Sequence, residues 1–312
     1  MQSLYTGFAC SIGDSMDTKS AFILLLVILA GNQRVRAQVP PLPPGNLGLT
    51  NMQDGNAPGP GWYYMQYVQI YQAKTISSVS ALQQLVFISK TNIWGGNLGG
   101  TVIVPFVKIA ADGDSGPLSI NPSPFGDIVA GPLIQWFNKR LFGMKYGHRL
   151  EVDMGIPTGS FKSSYDINPG SHLFRVFPHY TFTLSPTDKL SFSMRHHLNY
   201  YFKEMGTGIR PGITYNFNYS GEYTLTHGLT VEIAGYYLTQ LEQDSKNGDS
   251  HYFQRTYSIA DTKERVFAYG PGLGWVTPTG LFIEAKGMWE TAARNRTEGF
   301  RATLVLSYKL DK

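Results

Sequence analysis

The chain has 312 residues, of which 15% are charged and 13% aromatic, with 34 glycines and a formal net charge of +4. Typical globular chains carry roughly 25% charged residues, so two ordinary soluble domains are a poor fit, and the small net charge without any Lys/Arg block argues against nucleic acid as a partner. Cys10 is the single cysteine, which excludes an intramolecular disulfide. Past the N-terminus no apolar run reaches ~18 residues, which excludes helical membrane spans there.

In chain order, residues 1–37 read as a signal peptide. Met16-Asp-Thr-Lys19 supplies a charged start, AFILLLVILA at 21–30 an apolar core too short to span a bilayer, and Val35-Arg36-Ala37 a cleavage site. Met1 to Ser15 precede a second plausible start at Met16, and the mature chain is expected near Gln38, without cysteine. Residues 38–61, rich in Pro, Gly and Asn, form an extended or disordered lead-in rather than a domain.

From residue 62 to 312 the pattern is that of long strands, expected at 62–73, 81–91, 98–108, 127–137, 145–156, 173–184, 190–202, 213–225, 229–241, 265–275, 281–290 and 300–310. The clearest is the hairpin at 213–241. Tyr215, Phe217, Tyr219, Tyr223, Val231, Ile233 and Tyr237 fall on one face, Asn216, Asn218, Glu222 and Glu232 on the other. Strict period-2 alternation marks a strand with one apolar and one polar face. Each arm is about twice the usual strand length, and tilted at ~40° it covers the ~25 Å apolar band of an outer membrane. The fold class expected is therefore all-β: a transmembrane antiparallel β-barrel of about twelve strands, an even number as bacterial barrels require.

The connections agree. With the N-terminus in the periplasm, the turns at 92–97, 138–144, 185–189, 226–228 and 276–280 are short, and those at 109–126, 157–172, 203–212, 242–264 and 291–299 are longer, only the first outer connection, 74–80, being short. Short periplasmic turns opposite long outer loops are the usual barrel asymmetry. Trp62, Trp94, Trp136 and Trp275 all fall at the short-turn end, where an interfacial belt would sit. Pro105 and Pro132 lie inside expected strands, an awkward place for a residue without an N–H.

Several phrases along the barrel resemble a known family. They are Gly126-Asp127-Ile-Val-Ala-Gly131-Pro132, Gly155-Ile-Pro157-Thr158-Gly159-Ser-Phe161, Asn168-Pro-Gly170, Tyr215-Asn-Phe217-Asn-Tyr219, Gly235-Tyr236-Tyr237-Leu-Thr-Gln240, Ala268-Tyr-Gly270-Pro271 and Asn295-Arg296-Thr-Glu-Gly299. Their order and spacing resemble the outer-membrane family named for the meta pathway of phenol degradation, from about Trp62 to Leu310. The resemblance implies a barrel that transports small hydrophobic or aromatic compounds. It brings no catalytic residues.

The polar faces carry ionisable side chains of both signs. Arg149, Glu151, Asp153, Arg175, His179, Arg195 and His197 lie there in the first half of the barrel, and Glu222, Glu232, Glu284, Lys286, Glu290 and Arg301 in the second. In a barrel that face is the lumen, where such groups either select solutes or neutralise one another as a polar plug. Residues 242–264 form a long polar loop that would either enter the lumen as a gate or stay in solvent.

No enzyme is expected. Arg195-His196-His197 has no nucleophilic Ser at a useful spacing, and there is no Gly-x-Ser-x-Gly. No metal or cofactor is expected either, since His148, His172, His179 and His227 are scattered and Gly270-Pro-Gly272-Leu-Gly274 follows no strand–helix pattern. Two functions remain: an outer-membrane channel for small solutes, with membrane lipid as its other partner, or a structural or adhesive surface barrel with a closed lumen.

Overall fold

The computed structural model describes residues 46–50, 52–113, 116–226 and 228–311; the expected signal peptide, Cys10 and the start of the lead-in lie outside them. Twelve long strands form one antiparallel sheet. They are β1 (Gly61–Ala73), β2 (Ile76–Ile93), β3 (Gly96–Gly113), β4 (Ile128–Leu141), β5 (Met144–Ile156) and β6 (Arg175–Ser185). The second half is β7 (Leu190–Tyr201), β8 (Thr214–Thr226), β9 (Leu229–Gln240), β10 (Arg265–Val276), β11 (Phe282–Arg294) and β12 (Gly299–Lys309). Each strand pairs with its neighbours in sequence, and β1 pairs with β12 from Tyr63↔Lys309 to Ala73↔Gly299, so the sheet closes and leaves no edge.

The hairpin β8–β9 has the register its alternation requires. Glu222 faces Glu232 and Phe217 faces Tyr237. Glu222, Glu232 and Tyr236 are buried inside, while Ile233 on the other face is 67% exposed. Most of the large exposed apolar side chains lie on the outer face, as a barrel in lipid needs. A run of neighbouring rings crosses that face, from Trp136 stacked on His148 through His196 stacked on Tyr215 to Phe217 tilted against Tyr237. His196, from the His-His pair, thus points outward and bonds Tyr215.

Two departures from the expected strands stand out. β2 and β3 are 18 residues each, so the first connection shrinks from residues 74–80 to the two residues 74–75. In turn, the β3–β4 ladder spans only Asn97–Ile103 against Val129–Gln135. Pro105 lies just beyond its end and Pro132 within it, opposite Gly100; a prolyl nitrogen donates nothing to a ladder. Above it the chains stay together through the Val107 N–H on Pro124 O at 2.7 Å.

The long loops form a packed layer. Asp127 accepts hydrogen bonds from the backbone of Gly159 and Ser171, tying the start of β4 to the β5–β6 loop. The 242–264 loop packs within this layer. Its Ser245–Lys246 pairs with Ile209–Arg210 of the β7–β8 loop, and it carries the short helix α1 (Tyr252–Tyr257), which buries Phe253.

Candidate functional site

The described part of the lead-in occupies the barrel. Nothing in its sequence is periodic, and its backbone groups find partners on the wall instead of in a ladder, as buried polar groups must. Gly48 N–H donates to Asn218 Oδ1 at 3.0 Å, and Gly55 N–H to Thr183 Oγ1 at 2.9 Å. Gln69 Nε2 donates to Leu47 O, Lys286 Nζ to Leu49 O and Gln135 Nε2 to Gly55 O. Leu47 packs with Tyr236 and Leu238 of β9, Val266 and Ala268 of β10 and Met288 of β11, which explains why these five apolar side chains point inward. Gly48 sits at φ +68, and an added Cβ would lie 2.3 Å from Met288 Cε, so only glycine fits this turn.

The ionisable inner side chains gather into groups around this segment. In the first, Asp54 of the segment meets both Arg195 and Arg149: Arg195 Nε donates to Oδ2 at 2.7 Å and Nη2 to Oδ1, with Arg149 Nη2 3.4 Å away. Arg149 Nε also donates to Glu151 Oε2 at 3.1 Å, and His179 Nε2 lies 3.0 Å from the same oxygen. Asp153 and His197 flank His179. Two guanidiniums are thus shared between two carboxylates inside the barrel, where an unpaired charge would be costly.

In the second group Glu222 accepts hydrogen bonds from Gln53 N–H at 2.9 Å, Ser193 at 2.6 Å and Ser220 at 2.7 Å. Glu284 pairs with Lys286 at 2.5 Å, and Glu232 lies against Gly272, where a Cβ would strike it. In the third, Arg301 reaches Glu290 Oε1, Tyr236 Oη and Gln69 Oε1, with its guanidinium 4.4 Å from the Tyr71 ring centre. Arg175 stands apart from these groups, over the Phe177 ring at 5.2 Å.

A cavity of about 910 Å³ opens between the segment and the wall, reaching the short turns at Asn138, Asp188 and Gly280. Its two sides differ. Tyr63, Val86, Ile88 and Leu133 of β1, β2 and β4 form an apolar cluster on one; Arg149, Glu151, Arg195 and Glu284 lie on the other.

Two features escape the sequence reading. Residues 46–50 and 52–57 meet the inner wall, with no sequence signal to mark them. The scattered histidines of the sequence also hide a grouping: strand register brings one ligand atom each of Glu151, Asp153 and His179 within 4.8 Å of the others. The available signal was a Glu-x-Asp pair on an inner face, with a histidine one strand over.

Residues 55–306 match the model of a family described as "Putative MetA-pathway of phenol degradation". No curated protein sequence matches the chain. Among solved structures, an outer membrane channel from Pseudomonas putida F1 is similar over 85% of this chain and 98% of its own, with a TM-score of 0.67 at 14% identity. The KdgM porin covers 80% of this chain and 99% of its own, at a TM-score of 0.41 and 10% identity. The translocator domain of autotransporter NalP from Neisseria meningitidis covers 83% and 91%, at 0.41 and 11%. The first of these likenesses establishes the fold as that of an outer-membrane barrel.

Proposed function

Since the chain belongs to this phenol-degradation family, we propose that it is an outer-membrane channel for small hydrophobic or aromatic compounds. The observation that carries the proposal is the two-sided cavity at the short-turn, periplasmic end. Its apolar side, built by Tyr63, Val86, Ile88 and Leu133, suits a ring or short aliphatic body. Burial of such surface gains roughly 25 cal/mol per Å², enough to hold a small ring briefly without trapping it. The charged side keeps the passage hydrated and, through Arg149 and Arg195, holds the lumen segment in place. Of the inner ionisable side chains, Arg149, Glu151, Arg195 and Glu284 line this cavity, while Arg175, His197, Glu222, Glu232, Lys286 and Arg301 lie elsewhere on the inner wall. No nucleophile–base pair serves a reaction in this reading.

A second reading has its own support. The hydrogen bonds between residues 46–57 and the wall fit a barrel sealed for a structural or adhesive role. Uptake separates the two. Small aromatics cross plain bilayers unaided, so the assay belongs in whole cells with an intact outer leaflet. Cells carrying the chain should accumulate a radiolabelled aromatic faster than cells lacking it, with a labelled disaccharide unchanged. Equal aromatic uptake in both would remove the channel reading and leave the sealed barrel.

A further inference from the structure

Three neighbouring strands bring a set of metal-ligating groups together on the inner wall. Glu151 of β5 is in register with His179 of β6, and His179 with His197 of β7. Asp153 follows Glu151 by two residues and so shares its face. All four side chains are 2% to 4% exposed. One ligand atom each from Glu151, Asp153 and His179 lies within 4.8 Å of the others, and the His197 ring lies 4.6 Å from the His179 ring.

The donor atoms of this set are only partly used. Glu151 Oε2 takes the Arg149 Nε–H and lies 3.0 Å from His179 Nε2. Asp153 Oδ1, His179 Nδ1 and His197 Nε2 are buried with no hydrogen-bond partner. Buried polar atoms left in this way are unusual and call for an ion or a water. Charge points to the ion. Arg149 and Arg195 are paired with Asp54 and Glu151, which leaves the Asp153 carboxylate, beside that of Glu151, without a cation of its own; among the described residues its one ion-pair contact within 4.0 Å is His179 at 3.9 Å.

We propose that Asp153, His179 Nδ1 and His197 Nε2 bind a divalent transition-metal ion of the zinc type, with Glu151 accepting the His179 Nε2–H. Mixed imidazole and carboxylate donors suit zinc and its neighbours, whereas calcium and magnesium take oxygen-rich sets. Glu151 would have the part that a carboxylate behind a metal-bound histidine usually has, fixing the tautomer so that the other nitrogen faces the ion. Arg195 does not bar the site. Its Nη1 approaches His179 at Nε2, 3.4 Å away, on the ring edge opposite Nδ1, and its other nitrogens are held by Asp54. The His197 ring would have to turn for Nε2 to meet the ion. The bound ion would link β5, β6 and β7 side by side, beneath the place where Asp54 docks.

The test uses the full mature chain without a histidine tag, stripped with chelator in detergent and then equilibrated with zinc chloride. Wild type should retain one equivalent of zinc after desalting, by atomic emission. Asp153→Asn and His179→Gln should each weaken retention by about tenfold or more, and His251→Gln, in an exposed loop, should leave it unchanged. Cobalt chloride gives a reading that needs no variant: wild type should show visible d–d absorption of a nitrogen- and oxygen-ligated ion. A wild-type chain that retains no zinc and gives only the aquo-cobalt spectrum overturns the proposal. So does equal zinc retention by wild type and folded variants.

Discussion

Asp54 and Arg195 stand 141 residues apart in sequence and meet inside the barrel, Arg195 donating from Nε at 2.7 Å and from Nη2 to the other carboxylate oxygen. A two-pronged guanidinium–carboxylate pair is the strongest single link between the lumen segment and the wall. Truncating one partner leaves the other as an uncompensated buried charge, at a cost of ~3–5 kcal/mol. Arg195→Ala is therefore expected to unseat residues 46–57 and raise single-channel conductance in planar bilayers. Deleting residues 46–57 should raise it further, because the deletion removes the occupant together with its wall contacts. Unchanged conductance in the deletion, with insertion verified, would mean that the segment does not block the passage.

The outer face gives a prediction about folding. Ile233 lies mid-strand on β9 and is 67% exposed to the surrounding phase. An arginine there should cost ~2–4 kcal/mol, and one at Leu225, on the same face at the short-turn end of β8, no more than ~1 kcal/mol. Refolding titrations into lipid vesicles measure both. Equal costs would place Ile233 away from the membrane midplane.

Gly235 is covered by the Tyr219 ring, whose hydroxyl donates to Ala268 O at 3.1 Å. A Cβ at this position would lie 2.1 Å from Ala268 O and 2.5 Å from the Tyr219 hydroxyl. Gly235→Ala is expected to destabilise the β9–β10 seam by ~1–3 kcal/mol, the usual cost of overpacking, and Tyr219→Ala should relieve only part of it, since the closer clash is with the Ala268 backbone oxygen. A Gly235→Ala chain as stable as wild type in urea titrations would show that the backbone yields freely.

The barrel was legible because its strands are long and alternate strictly; slipping β8 or β9 by one residue would turn Glu222 and Glu232 to lipid. β2 was harder to bound, since its burial pattern shows little alternation until Val86 and Ile88. Tyr236 and Leu238 are apolar residues on an inner face, and their partner there is Leu47 of the lead-in. The lumen segment itself could not be read locally. Gly48 is matched to Asn218 and Gly55 to Thr183, contacts that exist only after the barrel has closed. The Glu151, Asp153 and His179 set was hidden for the same reason, being a product of register between strands.

The topology can be tested by labelling. Ser164 is exposed in the β5–β6 loop and Ser250 in the β9–β10 loop, whereas Ser245 is buried in its pairing with Arg210 and would react poorly wherever it lay. Ser164→Cys and Ser250→Cys should therefore react with an impermeant maleimide on intact cells. Reaction only after the outer membrane is permeabilised would put the long loops in the periplasm.

The loop layer should respond to pH through Glu264, which lies just before β10 and is buried beneath residues 242–262. Burial pushes its carboxyl up to about 7, despite Arg296 at 3.2 Å; Asp244 and Glu290 push the same way. Its unfolded value is near 4.5, so the folded layer holds the proton more tightly than the open one. The sign follows from linkage: the contribution of this group to stability is fully present below about 4.5 and is lost as pH rises through about 7. Amide exchange at Thr262 to Arg265, corrected for the intrinsic rate, should thus quicken between pH 5 and pH 8. Glu264→Gln, neutral at every pH, should flatten that dependence while keeping the Arg296 contact as an amide hydrogen bond. A corrected exchange profile with the same slope in wild type and Glu264→Gln would assign the response to another group.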